Sequence, residues 1–501
     1  MKDANKSQLN SEELLQQVES LKAQLANKDI IINLLQEKID FLKVAKFSRK
    51  TDKYNPNQMD LFDEADAPVL EEEIIDDIEI EEQTTDVKKK KSGRKSLPKN
   101  LPYVEKIHDL PESEQICSCG CKLTVIGDER SEQLEVIPKT TYKIINIKKK
   151  YACKSCSDTI KTAVLPKQPI AKSIATPGLL SSIITAKFCY HMPLYRQEDF
   201  FAKAGVPITR ASFSNWMIKV GNLLEPLVQL LKDKIINYDI AYADETRLKV
   251  LKKEKQSLTN QSYMWLFSGG PPQEKSFVYE YHPGRSEHIA NDFFEGFKGF
   301  LHADCYGAYV KLGKTLNVTH VACMAHARRY FMDIVKVSKG KKGVANKTIE
   351  KIAKLYVIER ELKDANASAD EVYDRRQKES LPLLENLKEW LYSKSYKTPP
   401  KSSLGKAIAY SINHWESLIN YTKDGRLEID NNRSERSIKP FVIGRKNWLF
   451  HGNEIGARAG ATLYSLIETC KAHNVDTFAY FKYVLSKIVF CKNSEDFEKL
   501  L

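Results

Sequence analysis

Residues 239–244 read DIAYAD, and with them the chain passes from helical to extended patterning. SYMWLFS at 262–268 and SFVYEYH at 276–282 follow, rich in aromatic and β-branched residues and separated by turn signals that include Gly269-Gly270-Pro271-Pro272. A helical stretch through His288, Ile289 and Phe293 leads to GFLHA at 299–303, which ends on Asp304, and then to NVTHVA at 317–322. The expected order is strand, strand, strand, helix, strand, helix, strand, helix, with an acid on the first strand and another at the end of the fourth.

That is the element order of a ribonuclease-H-like core, a mixed five-stranded sheet with helices. In such a sheet the first and fourth strands are neighbours, so Asp244 and Asp304 face each other. Two-metal phosphoryl transfer needs carboxylates that hold two ions about 4 Å apart, so the pair is a candidate site for two Mg2+ (or Mn2+). Glu245 follows Asp244 but points to the opposite face of the strand, which makes it the weaker ligand.

A third carboxylate is expected from a helix crossing the sheet edge. Residues 429–452, IDNNRSERSIKPFVIGRKNWLFHG, offer Asp430 and Glu435 among Arg433, Arg436, Lys439, Arg445 and Lys446. Asn431 and Asn432 are helix caps, so Ser434 to Ile438 are read as the first turns of a helix with Glu435 at its N-terminal end. Glu435 is the expected ligand and Asp430 its rival, as a cap or supporting group. Arg436, Lys439, Arg445 and Lys446 are expected to neutralise DNA phosphates, and Trp448 to fill the core.

The 501 residues are enough for about three domains. With Lys plus Arg at 78 against Asp plus Glu at 66, the net charge of +12 calls for a polyanionic partner, most simply nucleic acid. Five of ten cysteines fall between Cys117 and Cys156, which points to metal in a reducing compartment and against a disulfide framework. No apolar run is long enough for a membrane span, and MKDANKSQLN does not read as a signal peptide. The expected location is the cytoplasm.

Leu14, Val18, Leu21, Leu25, Ile32, Leu35, Ile39 and Leu42, with Lys28 breaking the seam, form a heptad pattern about four repeats long. A self-associating coiled coil is expected at 1–47, followed by a charged linker at 48–100 that runs from an acidic block around Glu71 to Glu82 into Lys88 to Lys91. The segment 101–168 is expected to be zinc-ribbon-like. Cys153 and Cys156 supply one knuckle, and Cys119 pairs with Cys117, or with Cys121, for the other. The segment 169–235 is expected to be helical, with Tyr195 to Ala204 and Thr209 to Val220 as a helix-turn-helix-like hairpin carrying Ser212, Asn215 and Trp216.

Core residues 236–332 are followed by a helical insertion at 333–425, the second part of the core with Glu435 at 426–475, and a C-terminal helix at 476–501. The insertion is read as helices at Ile349 to Leu362, Asp370 to Lys378, Leu381 to Tyr392 and Leu404 to Leu418.

Several blocks together resemble the insertion-sequence-66 transposases, DDE recombinases: YADETRLKVL, LHADCYGAYV, CMAHARRYF, LEIDNNRSERSIKP and IGRKNWLFHGNEIGARAGATLYSLIETCKAHNVD. The resemblance spans nearly the whole chain, the zipper and cysteine region included. It places the catalytic acids on Asp244, Asp304 and Glu435. It implies a bacterial, nucleoid-associated enzyme that cleaves at transposon ends and joins the freed 3′ end to target DNA, working as a homo-oligomer with possible accessory proteins of the same element. The same pattern contains Cys323 and His326, three residues apart and so on one helix face, expected to pack or hydrogen-bond near the active site.

Two other functions fit parts of the sequence. A catalytically silent DNA-binding regulator would use the zinc ribbon and hairpin, but leaves the three acids without a purpose. A ribonuclease-H-like nuclease without strand transfer would not need the zipper or the insertion.

Overall fold

The computed structural model describes residues 165–252, 261–315, 317–337 and 343–501, together with 143–147, two short strands at Lys150–Ala152 and Ile160–Thr162, and positions 18, 21, 28, 31, 32, 35, 36 and 39. Those N-terminal positions are helical, and Val18, Leu21, Ile32, Leu35 and Ile39 are exposed. The two short strands, β1 (Lys150–Ala152) and β2 (Ile160–Thr162), pair antiparallel and flank Cys153 and Cys156 in the sequence. All five clustered cysteines, and most of the expected zipper and linker, lie outside the described residues.

From Pro177 the chain forms α1 (Pro177–Phe188), α2 (Leu194–Lys203) and α3 (Arg210–Ile236). The turn between α2 and α3 contains Gly205 at φ +76°, a conformation that favours glycine. The Thr209 hydroxyl caps α3 by accepting from the Ser212 N–H at 3.3 Å. The hairpin is therefore present, but its second helix runs 27 residues and passes well beyond Val220. Phe213, Trp216, Met217, Val220, Leu224, Leu227, Leu231 and Ile235 recur every three or four residues and are buried. This helix is a core element along its length, and Trp216 is spent on that core.

The sheet follows. Strands β3 (Ile240–Lys252), β4 (Gln261–Gly269), β5 (Ser276–His282), β6 (Gly299–Ala303) and β7 (Val318–Ala322) lie in the order β5-β4-β3-β6-β7. The β3–β4 and β4–β5 pairs are antiparallel, whereas β3–β6 and β6–β7 are parallel. Helix α4 (Glu287–Phe293) makes the crossover from β5 to β6, and α5 (Gly307–Leu312) the one from β6 to β7.

Side chains of β3 alternate between two cores, as strand geometry requires. Ala241 and Ala243 join the core built on α3, while Ile240 and Tyr242 join the one formed with α6 (Met324–Val337) and the helices after it. The strand is longer than the DIAYAD segment. Leu248 and Val250 keep the alternation going between Arg247 and Lys249, and the far end of β3 pairs with β8 (His451–Asn453) through Val250↔His451.

The segment after α6 is helical: α7 (Val344–Asp364), α8 (Ala369–Arg375), a π turn at Arg376–Ser380, α9 (Leu381–Ser395), α10 (Ser403–Asn413) and α11 (Trp415–Ile419). The expected single helix over Leu404 to Leu418 is two, because the chain breaks at His414. Helix α12 (Asn432–Trp448) returns to the sheet, and α13 (Glu454–Ala472), α14 (Thr477–Lys487) and α15 (Ser494–Glu498) close the fold. Gly221 on α3 meets α13 so closely that a Cβ there would stand 2.7 Å from the Ala459 Cα, so only glycine permits this crossing.

Candidate active site

Parallel pairing of β3 with β6 sets Ile240 against Phe300, Ala241 against Leu301 and Tyr242 against His302. The pairing ends at Tyr242↔His302 and β6 at Ala303; continued by two residues, the same register reaches Asp244 and Asp304, on strands roughly 4.8 Å apart. Asp304 follows the end of β6, so alternation places only Asp244 on the face of Tyr242, whose ring stacks on that of His302 at 4.7 Å. Asp304 is fixed by a turn in which its Oδ1 accepts the Tyr306 N–H at 2.9 Å.

Glu245 lies on the other face and is buried. It pairs with Arg285 and accepts the Tyr309 hydroxyl at 2.7 Å. Burial, with the nearby Asp304 charge, pushes its pKa up to about 7, against the pull of Arg285. Arg285 also reaches within 3.9 Å of Asp304 Oδ2, so one guanidinium serves both acids. The sequence reading missed Arg285 and Tyr309. Arg285 sits in a loop with no periodicity to mark it, and Tyr309 looks like any core aromatic.

Helix α12 delivers Glu435 in its first turn. Asn431 occupies the cap position, but its side chain does not cap the helix. Its Nδ2 donates instead to the Ala243 carbonyl at 3.0 Å, pinning the start of α12 beside Asp244. The Tyr279 hydroxyl donates to the Ser437 carbonyl, the Arg433 guanidinium lies 4.7 Å from the centre of the Tyr242 ring, and Arg445 donates to Thr246 Oγ1 at 3.1 Å and to the Arg247 carbonyl. Helix α12 is thus tied to the sheet at both ends.

Asp430 is buried and accepts from the Asn432 backbone N–H at 3.1 Å and from its side-chain amide at 2.7 Å. Burial pushes its carboxyl up to about 6. Glu435 faces different partners: His326 Nδ1 stands 3.5 Å from its Oε1, and Arg329 3.8 Å from its Oε2, both from α6. Cys323, just before α6, completes a cluster in which the ligand atoms of Cys323, His326 and Glu435 lie within 4.8 Å of one another.

Of the four cations expected at phosphates, Arg436, Lys439 and Lys446 are exposed along one side of α12, at helical spacings of three and seven residues. Arg445 turns inward to β3. Trp448 packs on Phe441 with ring centroids 5.6 Å apart, as a core residue does.

Comparison with known proteins follows the same map. Residues 172–459 match the family model described as Transposase IS66 family. The chain belongs to the IS66 transposase family. Residues 465–501 match the IS66 C-terminal element, and 114–157 match the zinc-finger binding domain of transposase IS66, a span that contains all five clustered cysteines. Residues 34–105 match a family model described as transposase C of IS166 homeodomain, a leucine-zipper element.

Among curated proteins, the IS66-family chain is 32% identical over 406 residues to the uncharacterized protein y4jD of Sinorhizobium fredii, covering 78% of each. It is 31% identical to y4qI of the same organism, covering 77% of this chain and 73% of that one. Family membership brings with it DNA as a partner, zinc in the finger and a divalent metal. Among the described residues, no helix is long and apolar enough to cross a membrane.

Proposed function

We propose that this IS66-family transposase hydrolyses the phosphodiester at the ends of its element and transfers the freed 3′ end to target DNA, in a ribonuclease-H-like core. The observation that supports the proposal is the β3–β6 register, which leads toward Asp244 and Asp304 when continued two residues past Tyr242↔His302, together with the pinning of the α12 start to Ala243. The sheet order β5-β4-β3-β6-β7, with its two antiparallel and two parallel pairings, is the order that core requires.

Asp244 and Asp304 would hold two divalent ions jointly, Mg2+ or Mn2+, and Glu435 would complete the second site. The donor set suits hard cations, being all carboxylate oxygen on the sheet side. Bound there, the ions would supply Lewis acidity to the attacking water and to the leaving oxygen.

Everything else falls to the chain. Arg285 offsets the negative charge that Glu245 brings beside Asp304. Arg329, 3.8 Å from Oε2, sets a cation beside the Glu435 carboxylate. Arg436, Lys439 and Lys446 offer cations along which a cleaved strand can lie. The zipper would join two copies, as handling two DNA ends requires, and its exposed Val18, Leu21, Ile32, Leu35 and Ile39 suit a partner helix.

The test is nicking of labelled DNA from the element's ends with Mg2+. Asp244→Ala, Asp304→Ala and Glu435→Ala should bind the ends and lose cleavage by about three decades, the several kcal/mol that metal-held charge supplies. Normal nicking by Glu435→Ala alongside inactive Asp430→Ala would transfer the third role to Asp430.

A further inference from the structure

Cys323, His326 and Glu435 form a cluster that the two-metal reading does not use in full. Cys323 ends the link from β7 to α6 and is completely buried, while His326 and Glu435 are about four-fifths buried, with side-chain exposures of 19% and 20%. Cys-x-x-His at a helix start turns both side chains to one side, and the first turn of α12 brings a carboxylate to the same point from a residue 112 positions after Cys323.

Two of the three ligand atoms are left unsatisfied. His326 Nδ1 and Glu435 Oε1 are both shielded from solvent, and although they stand 3.5 Å apart neither makes a hydrogen bond. Orphaned buried polar atoms are costly and call for an explanation such as an ion. Cys323 Sγ accepts the Asn431 backbone N–H at 3.2 Å, the kind of interaction that supports a metal-bound thiolate.

We propose that Cys323 Sγ, His326 Nδ1 and Glu435 Oε1 bind a thiophilic divalent cation of the zinc class, separate from the finger's zinc and from the hard ions of Asp244 and Asp304. The ligand atoms lie within 4.8 Å of one another. Tetrahedral zinc with bonds of about 2.0–2.3 Å wants its ligands roughly 3.3–3.8 Å apart, so only a small closure is needed. A mixed sulfur, nitrogen and oxygen set selects zinc over magnesium. Three protein ligands leave one position of a tetrahedral site open.

The ion would clamp α6 to α12 and fix one carboxylate oxygen of Glu435. Arg329 stands 3.8 Å from the other oxygen, Oε2, which is the one left for the second hard ion. Cys323 and His326 would be positioning residues, acting on the reaction through Glu435.

Metal content of the full-length chain, purified without DNA, tests the site. Wild type should carry about two zinc ions per chain, and Cys323→Ser and His326→Asn about one each. Cys153→Ser/Cys156→Ser should also keep about one, and that ion should be lost when His326→Asn is added. With Co2+ in place of zinc, the Cys153→Ser/Cys156→Ser protein should show a thiolate-to-cobalt band that Cys323→Ser abolishes. Should the buried Cys323→Ser fail to fold, the partly exposed His326→Asn decides by itself. Zinc content unchanged in His326→Asn, or no metal left in Cys153→Ser/Cys156→Ser, overturns the proposal. Neither outcome touches the hydrolysis reading, which stands or falls on nicking by Asp244→Ala and Asp304→Ala.

Discussion

The Asn431 side-chain amide donates to the Ala243 carbonyl at 3.0 Å, and this bond joins the helix that carries Glu435 to the strand that carries Asp244. Asn431 is 1% exposed, and its backbone N–H is spent on Cys323 Sγ, so the residue is held on two sides. Asn431→Ala should therefore leave a buried carbonyl unpaired, at about 1–3 kcal/mol, and let the start of α12 drift. A displacement of about 1 Å can cost about 100-fold in rate. End-nicking should fall by that order while end binding persists, and nicking at the wild-type rate would show that the bond does not align the acids.

Arg376 is the other internal tie, and it connects the insertion to the approach to α12. Its guanidinium, 2% exposed, makes bonds of 2.9 and 2.6 Å to Glu359 and donates to the carbonyls of Tyr421, Asp424 and Leu427. Replacing it by Met strands the partly buried Glu359 partner and three carbonyls. Loss of one member of a buried pair costs about 3–5 kcal/mol, so Arg376→Met should lower the urea midpoint markedly. A midpoint equal to wild type would mean that the insertion is not held through this residue.

Acid sensitivity should trace to buried histidines. Burial, reinforced by the His320 charge, lowers the His302 pKa to about 3, and burial lowers those of His320 and His451 to about 4 and about 3. A folded pKa below the unfolded one means that the stability is present above about 6.5 and drains away as pH falls toward the folded value. The slope is about 1.4 kcal/mol per pH unit for each proton taken up. His302→Phe keeps a ring against Tyr242 and removes two unpartnered nitrogens. Its denaturation midpoint should fall less steeply than wild type between roughly pH 6 and 4, and an unchanged slope would exclude His302 as a source.

The sheet was legible because each strand carries its own signal in aromatic and β-branched residues, and SFVYEYH and GFLHA have the bounds expected of them. The end of β3 was not, since Asp244 looked like a terminus and the far end of the strand depends on β8, three residues of HGN with little strand preference of their own. Asn431 reads as a cap because asparagine caps helices, yet its amide finds a better partner in a strand 188 positions away. The same distance effect hid the third member of the Cys323–His326 cluster. Spacing puts two residues on one helix face, and only the fold can bring Glu435 to them.

Arg436, Lys439 and Lys446 are exposed on one side of α12, and Arg445 bonds to Thr246 and to the Arg247 carbonyl, which holds α12 on β3. Removing a cation that neutralises a DNA phosphate should reduce the slope of log affinity against log salt by about 1. Alanine at Arg436, Lys439 or Lys446 should therefore weaken binding of end DNA and flatten that slope, measured by anisotropy across a salt series. Arg445→Ala should leave the slope as it is and instead reduce resistance to denaturant, because it frees the end of the helix and strips a partner from β3. A flatter slope for Arg445→Ala, or unaltered slopes for the other three, would put the DNA on a different face of the core.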